Sequence, residues 1–174
     1  MTAQDQEATF RRWLDEHIGL MLKVVRGCVA SPQDQDDLFQ DVLLHLWSSI
    51  PAFRGEARET TWIYRVAFNT ALAWRRGERR RREGHERFAK FGEWPQSQSS
   101  HLESPPEHEI VAKLYAAIRQ LPKVDASLAL MHLDGLSYQE MAEVVGISEN
   151  YIGVKLSRIR KQLADHLKGA ADEL

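Results

Sequence analysis

The segment Leu136–Leu163, LSYQEMAEVVGISENYIGVKLSRIRKQL, constrains what this chain can fold into more than any other. Ser137 with Glu140 three residues on is a capping box, in which each side chain bonds the other residue's backbone amide where a helix begins. Gly146 ends that helix, because glycine enters the left-handed conformation without a Cβ clash, and Ser148 is placed to cap a second helix. Only a turn fits between the two, so the helices must cross sharply. In the second, Ile152, Leu156, Ile159 and Leu163 fall at spacings of four, three and four, one apolar stripe that packs inward. Glu149, Asn150, Tyr151, Val154, Lys155 and Arg158 are left outward, near the end that a helix-turn-helix inserts into the DNA major groove. Capped helical hairpins with a basic face also occur as plain architecture, so the rest of the chain has to decide.

Helical periodicity runs through most of that remainder. Phe10, Trp13, Leu14, His17, Ile18, Met21, Leu22, Val25 and Cys28 recur at helical intervals and predict a first helix over residues 10–29. Ser31-Pro32 breaks it and starts a second helix, from about Gln33 to Ser49, which stops before Pro51. After the connector Ala52–Glu59, Thr60 or Thr61 is placed to cap a third helix that continues through Ile63, Val66, Ala67, Thr70 and Trp74 into an arginine run. From Gly84 to Glu107 the period dissolves among Gly, Pro, Ser and Gln, the composition of a linker. It resumes at Ile110, breaks at Pro122, and reaches Leu133 before the Asp134-Gly135 turn. No strand pattern competes, so the expectation is an all-α chain of two small helical domains, residues 1–83 and 108–174, joined by a flexible linker over 84–107.

The formal net charge of −2 hides a segregation along the sequence. Residues 1–60 hold 6 basic and 10 acidic side chains, residues 61–92 hold 9 and 3, and residues 93–174 hold 8 and 12. One basic block between acidic ones can bind phosphates locally and offer acidic surfaces to a protein partner. Cys28 is the only cysteine, which excludes disulfides within the chain and multi-cysteine zinc sites, and the seven histidines lack paired ligand spacing. No run approaches the eighteen or so apolar residues of a membrane span and no secretion signal opens the chain, so a cytoplasmic protein without membrane insertion is expected.

Two further segments carry recognition chemistry. In DDLFQDVLLHLW, residues 36–47, Asp37, Gln40 and Asp41 share one helical face beside an apolar stripe, which is either a solvated surface or a docking face for a basic partner. Residues 60–76 interleave Trp62, Tyr64, Phe68 and Trp74 with Arg65, Asn69, Arg75 and Arg76. Aromatics beyond the needs of a core give unpaired bases a stacking surface worth about 1–3 kcal/mol each, though some of these rings must fill the core. RRGERRRR, residues 75–82, sets six arginines in eight positions, pointing all round a helix. A helix dipole employs one or two cations at most, so phosphate contact accounts better for the excess.

In that order and across such a linker, these segments resemble regions two and four of bacterial sigma factors, specifically the small extracytoplasmic-function (ECF) group. The resemblance covers roughly residues 10–82 and 108–167. It implies a three- or four-helix region two, a helix-turn-helix region four, no cofactor and no catalysis by the chain itself. Asp37, Leu38, Gln40, Asp41 and Trp47 match the helix that docks on core RNA polymerase. The loop Arg54–Thr60 and the helix Thr61–Trp74 match the part that captures the melted minus-ten element of promoter DNA, with Trp62, Tyr64, Arg65 and Asn69 on the strand and Arg75, Arg76 and Arg79 on the adjoining duplex. The linker would thread toward the RNA exit path, and the second helix of the opening unit would read the minus-thirty-five element. An anti-sigma protein is the further partner implied. At Gly153-Val154 many relatives carry polar residues, so one usual contact is missing, and a mid-helix glycine costs about 1 kcal/mol against alanine. A free-standing helix-turn-helix regulator would need neither a docking face nor an aromatic-basic helix, and a recombinase fragment would need clustered catalytic residues that the sequence lacks.

Overall fold

The computed structural model describes residues 2–88 and 109–172, and their side chains apart from residues 3, 75–88 and 169–172. Helix α1, Ala3–Cys28, starts well before the apolar pattern at Phe10, because Thr2 and Asp5 form a capping box: Thr2 Oγ1 accepts from Asp5 N at 3.2 Å and Thr2 N donates to Asp5 Oδ2 at 2.8 Å. Periodicity marks only the stretch that packs. Helix α2, Pro32–Ser49, opens on the expected Ser31 cap with proline in its first turn, and runs into a 3-10 turn at Ile50–Ala52. Helix α3, Glu59–Phe88, begins one residue before Thr60 and two before Thr61, the threonines expected to cap it. Arg12 of α1 grips the Glu59 carboxylate with two bonds of 2.6 and 2.7 Å, while Thr61 is buried within the first turn. The helix also continues to Phe88, past the residue 84 at which the sequence pattern places a linker; the rest of that linker, from residue 89, lies outside the described residues.

These three helices bury Trp13, Met21 and Val25 of α1, Leu38, Val42 and Leu46 of α2, and Ile63, Ala67 and Ala71 of α3 against one another. The second half packs α4, Glu109–Gln120, α5, Lys123–Leu133, α6, Tyr138–Val145, and α7, Glu149–Asp172, around Ile118, Leu128, Met131, Met141, Ile152 and Leu156. The α5–α6 connection is a Schellman turn. Gly135 takes φ +77°, with Leu136 N on Met131 O at 3.0 Å and Gly135 N on His132 O at 3.1 Å.

The two halves share one continuous core. Six consecutive α5 residues, Ala126 to Met131, are buried. A helix that is covered all round needs a partner on each side: α5 has α4, α6 and α7 on one side and α1 and α3 on the other. The approach to α1 is close at Gly27, where a Cβ would lie 2.6 Å from Leu130 Cδ1. All described elements are helical, without a strand.

Candidate nucleic-acid interface

Helix α6 begins and ends as its caps dictate. Ser137 Oγ accepts from Glu140 N at 3.2 Å, Glu140 Oε2 accepts from Ser137 N at 2.8 Å, and Gly146 closes α6 at φ +76°. Ile152, Leu156 and Ile159 are buried and Leu163 is half-buried, which leaves Glu149, Asn150, Tyr151, Val154 and Arg158 exposed on the opposite face. Lys155 departs from that set. Its ammonium is 2.6 Å from Asp125 Oδ1 of α5 and lies 5.4 Å from the Tyr151 ring centroid, so this cation belongs partly to the internal packing of region four.

On α2, Asp37, Gln40 and Trp47 are exposed and Asp41 is half-buried. Leu38 is corrected: it is 0% exposed, inside the core. It sits one residue from Asp37, about 100° round the helix, and that step turns it into the core. The apolar member of the exposed stripe is Leu44 instead, 65% exposed and four residues beyond Gln40. That spacing was readable in the sequence; nothing in it marks Leu44 as left outside. Trp47 stands edge-on to Phe10 at 5.3 Å, which fixes its ring at the end of the stripe.

On the α3 side, Arg54 and Asn69 are exposed and Trp62 is half-buried. Trp62 Nε1 donates to Ser49 Oγ at 3.1 Å, its ring tilts against Phe53 at 5.6 Å, and the Arg65 guanidinium carbon lies 5.9 Å from its centroid. Tyr64 is the second correction. At 1% exposure it offers no face to a base, and its hydroxyl donates to Asp134 of the α5–α6 turn. Burial and the neighbouring carboxylate push that hydroxyl's pKa far up, so it remains a donor. The side chains of Arg75, Arg76 and Arg79 lie outside the described residues. Arg58, which the sequence did not single out, reaches Glu140 Oε1 at 3.0 Å.

Among the described residues, Glu16, His17 and Glu59 bring their ligand atoms within 4.8 Å of one another. Arg12 already holds both oxygens of Glu59 and holds its carboxyl below the usual carboxylate range, which makes the cluster an ion-pair network. No described helix is long and apolar enough to cross a membrane.

Family models match this arrangement in two pieces, sigma-70 region 2 over residues 13–81 and sigma-70 region 4 over residues 112–163. Similar relatives include the ECF RNA polymerase sigma-E factor of Haemophilus influenzae, 27% identical over 165 residues covering 90% of this chain and 84% of the relative. The ECF sigma factor SigX of Bacillus subtilis is 26% identical over 175 residues, covering 97% and 88%. The fold resembles the sigma factor RpoE, solved with the anti-sigma factor NepR from Bartonella quintana, at a TM-score of 0.66 and 20% identity over 92% of this chain and 97% of that one. It also resembles CnrH, solved with the cytosolic domain of CnrY, at a TM-score of 0.63 and 19% identity over 94% and 90%. With both regions on one chain in the family's order and relatives matched over most of their length, the protein belongs to the sigma-70 family as an extracytoplasmic-function sigma factor, a subunit that directs promoter-specific initiation by RNA polymerase.

Proposed function

We propose that this sigma factor divides its work between residues 1–83, which dock on core RNA polymerase and hold the melted minus-ten strand, and residues 108–174, which read the minus-thirty-five duplex. The observation that carries the reading is α7. Its apolar stripe is buried while Glu149, Asn150, Tyr151, Val154 and Arg158 stand together in solvent just after the left-handed turn, as major-groove reading requires. Val154 is suited to a thymine methyl and Arg158 to a guanine edge or phosphate, with Lys155 a lesser contributor because Asp125 holds it.

On region two, Asp37, Gln40, Asp41, Leu44 and Trp47 form the polymerase face, and Leu38 supports it from inside. Arg54, Trp62, Arg65 and Asn69 serve the single strand, Arg75, Arg76 and Arg79 the adjoining phosphates, and residues 84–107 the path toward the RNA exit. The chain performs no catalysis, acts in the cytoplasm where core polymerase and promoter DNA are, and takes an anti-sigma protein as a further partner. Ile18 of α1 and Ile110 and Val111 of α4 are exposed apolar positions that suit such a partner.

Run-off transcription with core polymerase tests the proposal. Changing Asp37 and Gln40 together to alanine should weaken core binding, whereas Arg158→Ala should spare core binding and reduce promoter use. A chain that binds duplex DNA tightly by itself and never associates with core polymerase would be a free-standing regulator instead.

A further inference from the structure

Helix α1 begins at Ala3, whereas the match to sigma-70 region 2 begins at residue 13, so the first turns of α1 lie ahead of the matched stretch. Those turns are engaged with the far end of α2. Gln6 Nε2 donates to the Trp47 carbonyl at 2.8 Å, across 41 positions of sequence. The Phe10 ring stands edge-on to the Trp47 ring, with centroids 5.3 Å apart and planes at 90°. The Thr2–Asp5 capping box keeps this part of α1 helical, which is what carries both side chains to α2.

The end of α2 gains from the contact. A helix leaves its last four carbonyls without helical partners, and α2 has no basic residue in its last turn to serve them. Ser49 Oγ donates to Leu46 O at 2.8 Å, and Trp47 O accepts from Ile50 N as well as from Gln6. Gln6 is therefore a cap lent by another helix, and it fixes the backbone from which Trp47 projects. Trp47 itself is 37% exposed, and with Gln40 and Leu44 it keeps the spacings of four and three that make one helical face. The part of its ring that Phe10 leaves uncovered is thus open to whatever docks along that stripe.

An intramolecular hydrogen bond adds only modestly to stability, so the chief consequence of the two contacts is where the ring points. Tryptophan is among the side chains that carry most of an interface's binding energy. A ring already held in one orientation avoids the ordering cost that a loose one meets on association. We propose that Gln6 and Phe10 are positioning residues for polymerase docking, which hold Trp47 ready as an aromatic anchor at the end of the α2 stripe. The inference rests on the assignment of that stripe to core polymerase.

The test uses the full chain and core RNA polymerase. Gln6→Met keeps the length and helix preference of the side chain but removes the donor, and Phe10→Leu keeps an apolar group but removes the ring. Together they should weaken core binding about 2- to 10-fold, the worth of one side chain's ordering. Run-off transcription at saturating core should match wild type, and the melting temperature should stay within about 2 °C of it. In protein grown with fluorotryptophan, the fluorine resonance that disappears in Trp47→Phe should shift in the double variant. Trp47→Ala should weaken core binding by itself, and adding the two α1 changes to it should cost nothing more. Unchanged core binding in the double variant, an unchanged affinity in Trp47→Ala, or the same further loss with Trp47 absent overturns the inference. A large fall in melting temperature is met by Gln6→Met alone, judged by the same outcomes. The docking assignment is tested apart: if changing Asp37 and Gln40 to alanine leaves core binding intact, the α2 stripe is not the polymerase face, whereas a loss there with none from Gln6 and Phe10 strikes only the positioning.

Discussion

Lys155 reaches Asp125 at 2.6 Å, so its replacement by alanine strands a carboxylate whose side chain is only 15% exposed. Lys155→Ala is expected to lower the melting temperature and DNA binding together, which makes it a poor probe of recognition. Arg158→Ala acts on the open face of α7 and should weaken binding to promoter duplex by polymerase holoenzyme while changing stability by less than about 0.5 kcal/mol, the usual range for a surface site. Gly153 behaves differently from the glycines in turns. It lies inside α7, and a Cβ there would meet Tyr138 Cε2 at an ordinary 3.5 Å. Gly153→Ala should therefore stabilise the protein by about 1 kcal/mol, read as a rise of roughly 2–4 °C in a thermal melt. Leu38→Ala, at a wholly buried position, should cost about 2–5 kcal/mol and impair polymerase binding only through unfolding.

Helix α6 depends on the reciprocal bonds of Ser137 and Glu140, and Ser137→Ala should cost about 1 kcal/mol in a chemical melt. The Glu140 carboxyl is held below the usual carboxylate range, first by the Ser137 backbone amide and then by the Ser137 hydroxyl and Arg58; Glu59 is lowered in the same sense by Arg12. A carboxyl with a depressed folded pKa contributes stability above its unfolded value and loses it as the pH falls through the folded one. The melting temperature should thus hold from neutrality down to the ordinary glutamate range and decline below it. Glu140→Gln and Glu59→Gln should each make that decline shallower in calorimetry. The elements themselves were legible where a cap or a break is written in adjacent residues: Ser31-Pro32, Ser137 with Glu140, Asp134-Gly135 and Gly146 all act as read. The start of α1 was missed because its box, Thr2 with Asp5, precedes any apolar repeat. The start of α3 was misplaced because its first turn is held by Arg12, 47 positions away in sequence.

At the scale of the molecule, one core runs through both regions, so the free protein should unfold in a single calorimetric transition with matching van't Hoff enthalpy. The candidate site shows the same dependence on distance. Glu149, Asn150, Tyr151, Val154 and Arg158 could be picked from the sequence because one helix's own stripe decides which face is outward. Tyr64 could not, since an aromatic among basic residues fits stacking on a base as well as burial, and Asp134 arrives from 70 positions away. Leu38 and Leu44 show it again on α2, where only the packing of α1 and α3 decides which leucine is inside. By itself the sequence determined the helices, the caps of α2 and α6, the sharp turn at Gly146 and the family, because these depend on neighbours within a few residues or on the order of segments. Only the tertiary structure decided that region four closes over region two, because Arg58–Glu140, Lys23–Asp134 and Gly27–Leu130 join residues whose meeting no local pattern encodes.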